Sequence, residues 1–149
     1  MEKWIRNWFS NMLPFDTPLK YQDIDYPTVE HFYQALKLPK DRTDLRLKLS
    51  KMTPYEAKKA VKTKEFLPWS PTWSEEMSLI VMEIGLKYKF GPETSWHKKL
   101  MDTGDDEIVE YNNWGDVFFG VDVKTGKGQN HLGKILMKLR NEYKLLEKL

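Results

Sequence analysis

Apolar residues in this chain recur mostly three or four positions apart, the spacing of amphipathic helices, and short breakers punctuate the pattern. In "PTVEHFYQALKLP", residues 27–39, Val29, Phe32, Tyr33 and Leu36 fall at i, i+3, i+4 and i+7. That stripe predicts a helix over 29–37, capped by Thr28 and ended by Pro39. A second helix is expected over 41–50, after the cap-like Asp41. "TPYEAKKAV" opens a third, with Thr53 as cap, Pro54 at the first helical position and Glu56 completing a capping box. The longest internal helix should start near "SPTWSEEM", where Thr72 and Glu75 offer another capping box. Trp73, Met77, Ile80, Val81 and Ile84 then follow at helical spacing and are expected to face the core. Gly91 and Pro92 end that region. A short helix over 94–102 stops at Gly104, and a last one over 131–146 carries Leu132, Ile135, Leu136, Leu139, Tyr143 and Leu146 on one side.

Between the helices the pattern is weaker. Residues 3–22 scatter Trp, Phe and Tyr around Pro14 and Pro18, which favours short extended pieces and turns. "EIVEY" reads as a short strand, and "NNWGDVFFGVDVKTGKGQN" as a long glycine-punctuated loop of the kind that is functional or mobile. No internal repeat, low-complexity segment or linker interrupts the chain. The expected class is mainly α: an orthogonal multi-helix single domain over residues 1–149 with a few short β-strands.

A second stripe runs beside the apolar one on the 29–37 helix. Glu30, Gln34 and Lys37 fall at i, i+4 and i+7. Residues seven apart are separated by roughly 10 Å along a helix axis and by about 20° around it, so one pocket at that edge could receive all three side chains. A surface row flanking the core fits the same spacing. Trp69, Trp73, Trp114, Phe9 and Tyr111 lie near expected termini and turns, where a ring is either a core residue or a platform for a planar base.

Composition narrows the chemistry. At 149 residues the chain can bury a core without a metal or disulfide, and 40% hydrophobic with 31% charged residues fits a globular protein. The absence of cysteine excludes disulfides, thiolate catalysis and zinc–thiolate sites. His31, His97 and His131 are too few and scattered to suggest a metal cage, and no apolar run approaches a membrane span. The expectation is a cytoplasmic, monomeric protein with no cofactor, no metal and no membrane partner. The net charge of +2 is small, but Lys58, Lys59, Lys62 and Lys64 cluster, and Lys134, Lys138, Arg140 and Lys144 recur along the last helix. Either cluster is a solvated face or a surface that steers a phosphate-bearing substrate. The common nucleotide-loop, nucleophile-elbow and zinc-protease motifs are missing, and "GKGQNHLG" is only a weak anion-site signal at a helix start.

Five blocks, taken together, are more specific than any one of them: "WFSNMLPF", "YPTVEHFYQALK", the Trp73 helix ending in "LKYKF", "LMDTGDDEIVEYNNWGD" and "GKGQNHLGKILMKLR". In order and spacing they resemble the YbiA-like, or NADAR, superfamily over about residues 8–141. The resemblance implies a mainly helical fold and hydrolysis of an N-glycosidic bond at a ribose. One branch of the family acts on phosphorylated ribosylamine intermediates of riboflavin synthesis, and another removes ADP-ribose from guanine in nucleic acid. The implied substrate is therefore an ADP-ribose-containing or phosphoribosyl compound, ADP-ribosylated DNA or RNA included.

Carried over by motif, the resemblance implies Lys37, Glu30 and Asp116 as catalytic residues. It implies substrate contacts at Phe9, Ser10, Asn11, His31, Gln34, Trp73, Trp114, Gly115, Asn130 and Gly133. The chain departs from the family pattern at Met12, and "VFFGVDVKT" lengthens the segment after Asp116, which leaves Asp122 without an assigned role. In the family's ADP-ribose branch a lysine attacks the anomeric carbon to give a Schiff base. Lys37 matches it, with Glu30 as acid/base and Asp116 holding hydroxyls or water. The lysine clusters favour the polyanionic substrate. The alternatives are the riboflavin intermediate and a non-catalytic module that binds ADP-ribose or another NAD derivative.

Overall fold

The structure, a computed structural model, describes residues 7–149, so the expected extended pieces before Asn7 lie outside the described residues. It is mainly α. Among the described residues six α-helices carry the fold, with four short strands paired two and two. The chain divides into two compact units, one of residues 11–89 and one of residues 90–149 with the described residues up to Ser10.

In the 11–89 unit, β1 (Pro14–Tyr21) and β2 (Ile24–Thr28) form an antiparallel hairpin with Leu19 opposite Tyr26. Gln22 and Asp23 turn it with φ of 50° and 66°, the mirror-image turn whose twist suits two adjoining strands. Neither turn residue is glycine or asparagine, which is why the hydrophobic pattern predicts only extended pieces here. β2 runs directly into α1 (Val29–Ala35), where the Thr28 hydroxyl accepts the His31 amide at 3.1 Å. Pro39 disfavours helical backbone at Leu38, so α1 ends at Ala35 and Lys37 lies in the turn beyond it.

α2 (Thr43–Ser50) starts after Arg42, and Asp41 provides no cap; Arg42 instead pairs with Asp44 at 3.0 Å. α3 (Pro54–Ala60) has the expected capping box in full. α1 packs against β2, α2 and α3, so its apolar stripe is only part of what it buries. Val29, Phe32 and Ala35 are buried, but so are Glu30, His31 and Gln34, while Tyr33 and Leu36 are half-buried.

α4 (Glu75–Phe90) corrects two expectations. Thr72 hydrogen-bonds Ser70 instead of capping, and the Ser74 hydroxyl accepts the Met77 amide at 3.0 Å. Its buried face is Ser78, Val81, Met82, Gly85 and Leu86, while Ile80 and Ile84 are 49% and 48% exposed. Gly85 explains the choice of face: a Cβ there would stand 3.1 Å from Val29 Cγ1, so the side with the smallest residue meets α1. Both stripes have helical spacing, and spacing alone does not choose between them.

In the other unit, Phe9 is buried with its ring 6.0 Å from that of Phe90. α5 (His97–Met101) is shorter than the expected 94–102 helix, and beyond its end Gly104 has a φ of 62° with its amide donating to the Met101 carbonyl at 3.0 Å. α6 (His131–Leu146) matches its predicted range, and all its expected apolar positions are buried except Leu146 in the last turn, which is 58% exposed. Arg140 is buried and donates to Thr103 Oγ1 and the Asp106 carbonyl, and Lys144 donates to the Gly104 carbonyl and Asp105. Those two cations hold the 103–106 turn and are not part of a free basic face. Of "EIVEY" only Tyr111 is in a strand: β3 (Tyr111–Asn112) pairs in parallel with β4 (Val121–Asp122).

Candidate active site

Two lysines of the 11–89 unit are buried, Lys89 at 1% exposed and Lys37 at 7%, and Lys37 is the one on the polar stripe with Glu30 and Gln34. Its Nζ stands 4.6 Å from the centre of the Trp69 ring and 5.0 Å from that of Tyr33. Trp69 is pinned there by its indole N–H, which donates to the Val61 carbonyl at 2.8 Å, and the Ser70 amide donates to the Lys37 carbonyl at 2.7 Å. Trp73 meets the Tyr33 ring edge-on at 5.5 Å. Burial pushes the Lys37 amine from 10.5 down to about 8; Glu30 draws it back up, and Lys62 and Lys58 press it lower. The ring faces favour the ammonium form, yet burial dominates. Near neutral pH roughly a tenth of such an amine is uncharged and nucleophilic.

Glu30 and Gln34 are buried beside it in α1, and Gln34 Nε2 donates to Glu30 Oε2 at 2.5 Å. The Glu30 amide donates to the Asn11 carbonyl at 3.0 Å, which fixes the 11–12 turn against the start of α1. Asn11 Nδ2 lies 3.5 Å from Met82 Sδ. Gln34 Oε1 and Asn11 Oδ1 are both buried without a hydrogen-bond partner. His31, expected as a substrate contact, has both ring nitrogens engaged by protein: Nδ1 with Thr28 Oγ1 at 2.8 Å and Nε2 with the Met52 carbonyl at 2.7 Å. Its ring ties α1 to the start of α3 and has no nitrogen left for a ligand.

The 90–149 unit holds the other family blocks. Asn112 organises the turn that follows it: Oδ1 accepts the amides of Trp114 and Asp116, and Nδ2 donates to the Asp116 carbonyl. Gly115 has a φ of 84°, which places Trp114 on a tight turn with its indole 61% exposed. Asp116 Oδ1 accepts the amides of Phe118 and Phe119 at 3.0 Å each, and Oδ2 has no partner among the described residues. A cavity of about 590 Å³ opens between Tyr111, Asn112, Asn113, Trp114, Val123 and Gly126. The added "VFFGVDVKT" segment is ordered rather than a loose loop. The Asp122 amide donates to the Lys127 carbonyl at 2.8 Å, which closes a turn at the end of β4, and Asp122 Oδ1 accepts the Lys124 amide.

Asn130 and Gly133, expected as substrate contacts, have structural roles. Asn130 Nδ2 donates to the Ile108 carbonyl and its Oδ1 accepts the Glu110 amide, both at 2.9 Å. A Cβ on Gly133 would lie 2.1 Å from that same carbonyl. Both residues fasten the 108–110 segment to the start of α6, and Phe9 is likewise a core residue. Ser10 is half-buried.

Within its own unit, then, the fold brings Glu30, Gln34, Lys37 and Trp73 together, and in the other it gathers Trp114, Gly115 and Asp116 around one turn. Sequence reasoning placed Tyr33 in the core and passed over Asn112. Tyr33 lies four residues before Lys37, hence on its face, and an asparagine two residues before a Trp-Gly pair is a side-chain-to-backbone turn signal. No group of three or more metal-ligating side chains occurs among the described residues.

Comparison with known proteins bears on both units. A family model described as the NADAR domain matches residues 2–144. The chain is 36% identical to an N-glycosidase of Nostoc punctiforme over 140 residues, 93% of this chain and 86% of that protein. It is 33% identical over 118 residues to a riboflavin biosynthesis protein of Vibrio vulnificus, and this match takes in 78% of the chain but spans only 30% of that protein's length. The solution structure of the Escherichia coli protein YbiA superposes with a TM-score of 0.77 at 28% identity, covering 94% of this chain and 79% of that one.

Proposed function

The chain belongs to the NADAR family, and from that premise we propose that it is an N-glycosidase that cleaves the bond between a ribose C1 and a nitrogen. The observation that carries this reading is Lys37: a buried amine with its pKa near 8, set between two rings and close to a buried carboxylate. A lysine placed only to stabilise the fold gains nothing from such a position, whereas a nucleophilic lysine needs it.

The reaction proceeds through the opened sugar. The bond from C1 to the ring oxygen breaks, and that oxygen takes a proton. The neutral Lys37 amine adds to C1, and Glu30 protonates the substrate nitrogen as its bond to C1 breaks, leaving an imine between C1 and Nζ. Water then adds to C1, Glu30 takes up the proton, and the C1–Nζ bond breaks to return the free sugar and the amine. Asp116 is the second proposed carboxylate, and Asp116→Asn tests it by loss of turnover.

For substrate, we take ADP-ribosylated guanine in nucleic acid as the first reading, because Lys58 and Lys62 stand near enough to Lys37 to act on its charge and continue into Lys59 and Lys64. Similarity to a riboflavin biosynthesis protein favours a second, the phosphorylated ribosylamine of that route. Purified protein given each substrate in turn decides between them by rate. Borohydride added during turnover should reduce the imine to a stable sugar adduct on Lys37. Turnover without an adduct would remove the lysine step and leave water attack guided by Glu30.

A further inference from the structure

A carboxylate and an ammonium buried close together attract strongly, because the low dielectric that penalises each charge also strengthens their pairing. Glu30 and Lys37 are buried at one edge of α1, and Glu30 is the one carboxylate whose charge acts on the Lys37 amine, yet no ion pair joins them. Each is held elsewhere: Glu30 Oε2 by Gln34 Nε2 at 2.5 Å, and Lys37 Nζ between the rings of Tyr33 and Trp69. Gln34 makes this bond at a cost in stability, since its other amide atom, Oε1, is buried with no donor. An apolar side chain of the same length would avoid that cost.

We propose that Gln34 is a positioning residue that withholds the Glu30 carboxylate from Lys37, keeping the acid and the amine as separate working groups. Paired, they would lock the amine in its protonated form and occupy the acid, and neither could perform its step. Besides Glu30 and the Tyr33 phenol of α1, the titratable groups near the amine are Lys58 of α3 and Lys62 just after it. Both of these are cations, so Glu30 is the carboxylate among the groups that act on the amine. The inference rests on Lys37 and Glu30 being the working pair of the function proposed above.

The test needs no substrate. In the full chain, Lys37 is labelled by formaldehyde and cyanoborohydride across pH and the modified peptide is quantified. Gln34→Leu should move the labelling midpoint up by about one pH unit, the size of shift a carboxylate at close range produces, and so cut labelling near neutrality about tenfold. Adding Glu30→Gln to Gln34→Leu should abolish that rise. Gln34→Met serves in the same way if the leucine variant does not fold. A midpoint that stays put or falls in the single variant, or a rise that persists in the double, overturns the proposal. A merely structural glutamine would alter stability and leave the midpoint alone. If the wild-type chain turns over neither N-riboside, the glycosidase reading fails while the labelling result still decides the role of Gln34.

Discussion

A lysine amine whose pKa falls from 10.5 to about 8 on folding burdens the folded state with a charge it would shed. Between those two values the unfolded chain binds more protons than the folded one, so stability rises with pH across that window. Below about pH 8 the penalty is present in full, on the order of 3 kcal/mol from the size of the shift. Lys37→Met should therefore raise the urea midpoint at pH 7 and flatten its dependence on pH between 8 and 10, while abolishing turnover. Denaturation series at several pH values check the first part, and a variant less stable than wild type at pH 7 would contradict it. With Lys37 as the proposed nucleophile, kcat/KM should climb with pH and level off above about 8 as the amine loses its proton. Glu30→Gln should fold normally and lose most turnover, since the amide keeps the shape and cannot protonate a leaving nitrogen.

Whole elements position these residues through a few close contacts. Thr28 both caps α1 and meets the His31 ring, so one hydroxyl fixes the start of the helix that carries Glu30 and Gln34. Thr28→Val should cost about 1–2 kcal/mol, the worth of a lost cap, measured by urea denaturation, and should lower turnover only through lost folded protein. In α6, Gly133→Ala would press a methyl group into the Ile108 carbonyl, and an overpacking cost of about 1–3 kcal/mol is expected. Proper helix length was readable for α6, where Asn130 and the final leucines mark the ends, but not for α1, where Pro39 shortened the helix by two residues. The face of α4 was not readable, because Gly85 meets Val29, a residue more than fifty positions away.

At the scale of the whole chain, a net charge of +2 hides an uneven distribution. Lys58 and Lys62 act together on Lys37, while Arg140 and Lys144 hold the 103–106 turn, so the lysines of and after α3 are the cluster beside the proposed site. If the substrate is ADP-ribosylated nucleic acid, KM should rise steeply with salt as condensed counterions compete, and Lys58→Gln with Lys62→Gln should reduce that slope. A small riboflavin intermediate would show a much weaker dependence. Comparing salt series for the two substrates measures the difference.

The sequence by itself determined the helical class, the starts of α1, α3 and α6, the family, and the row of Glu30, Gln34 and Lys37. These depend on spacing and capping chemistry, which are local, and on ordered motif blocks, which are written in the chain. Only the tertiary structure decided what surrounds that row. It turned Tyr33 from a core residue into one wall of the lysine site, brought Trp69 across as the other, and gave His31, Asn130 and Gly133 structural duties. The burial that lowers the Lys37 amine also comes from segments distant along the chain. A pKa, a buried unpaired amide and an aromatic frame are properties of surroundings, and surroundings exist only once the chain has folded.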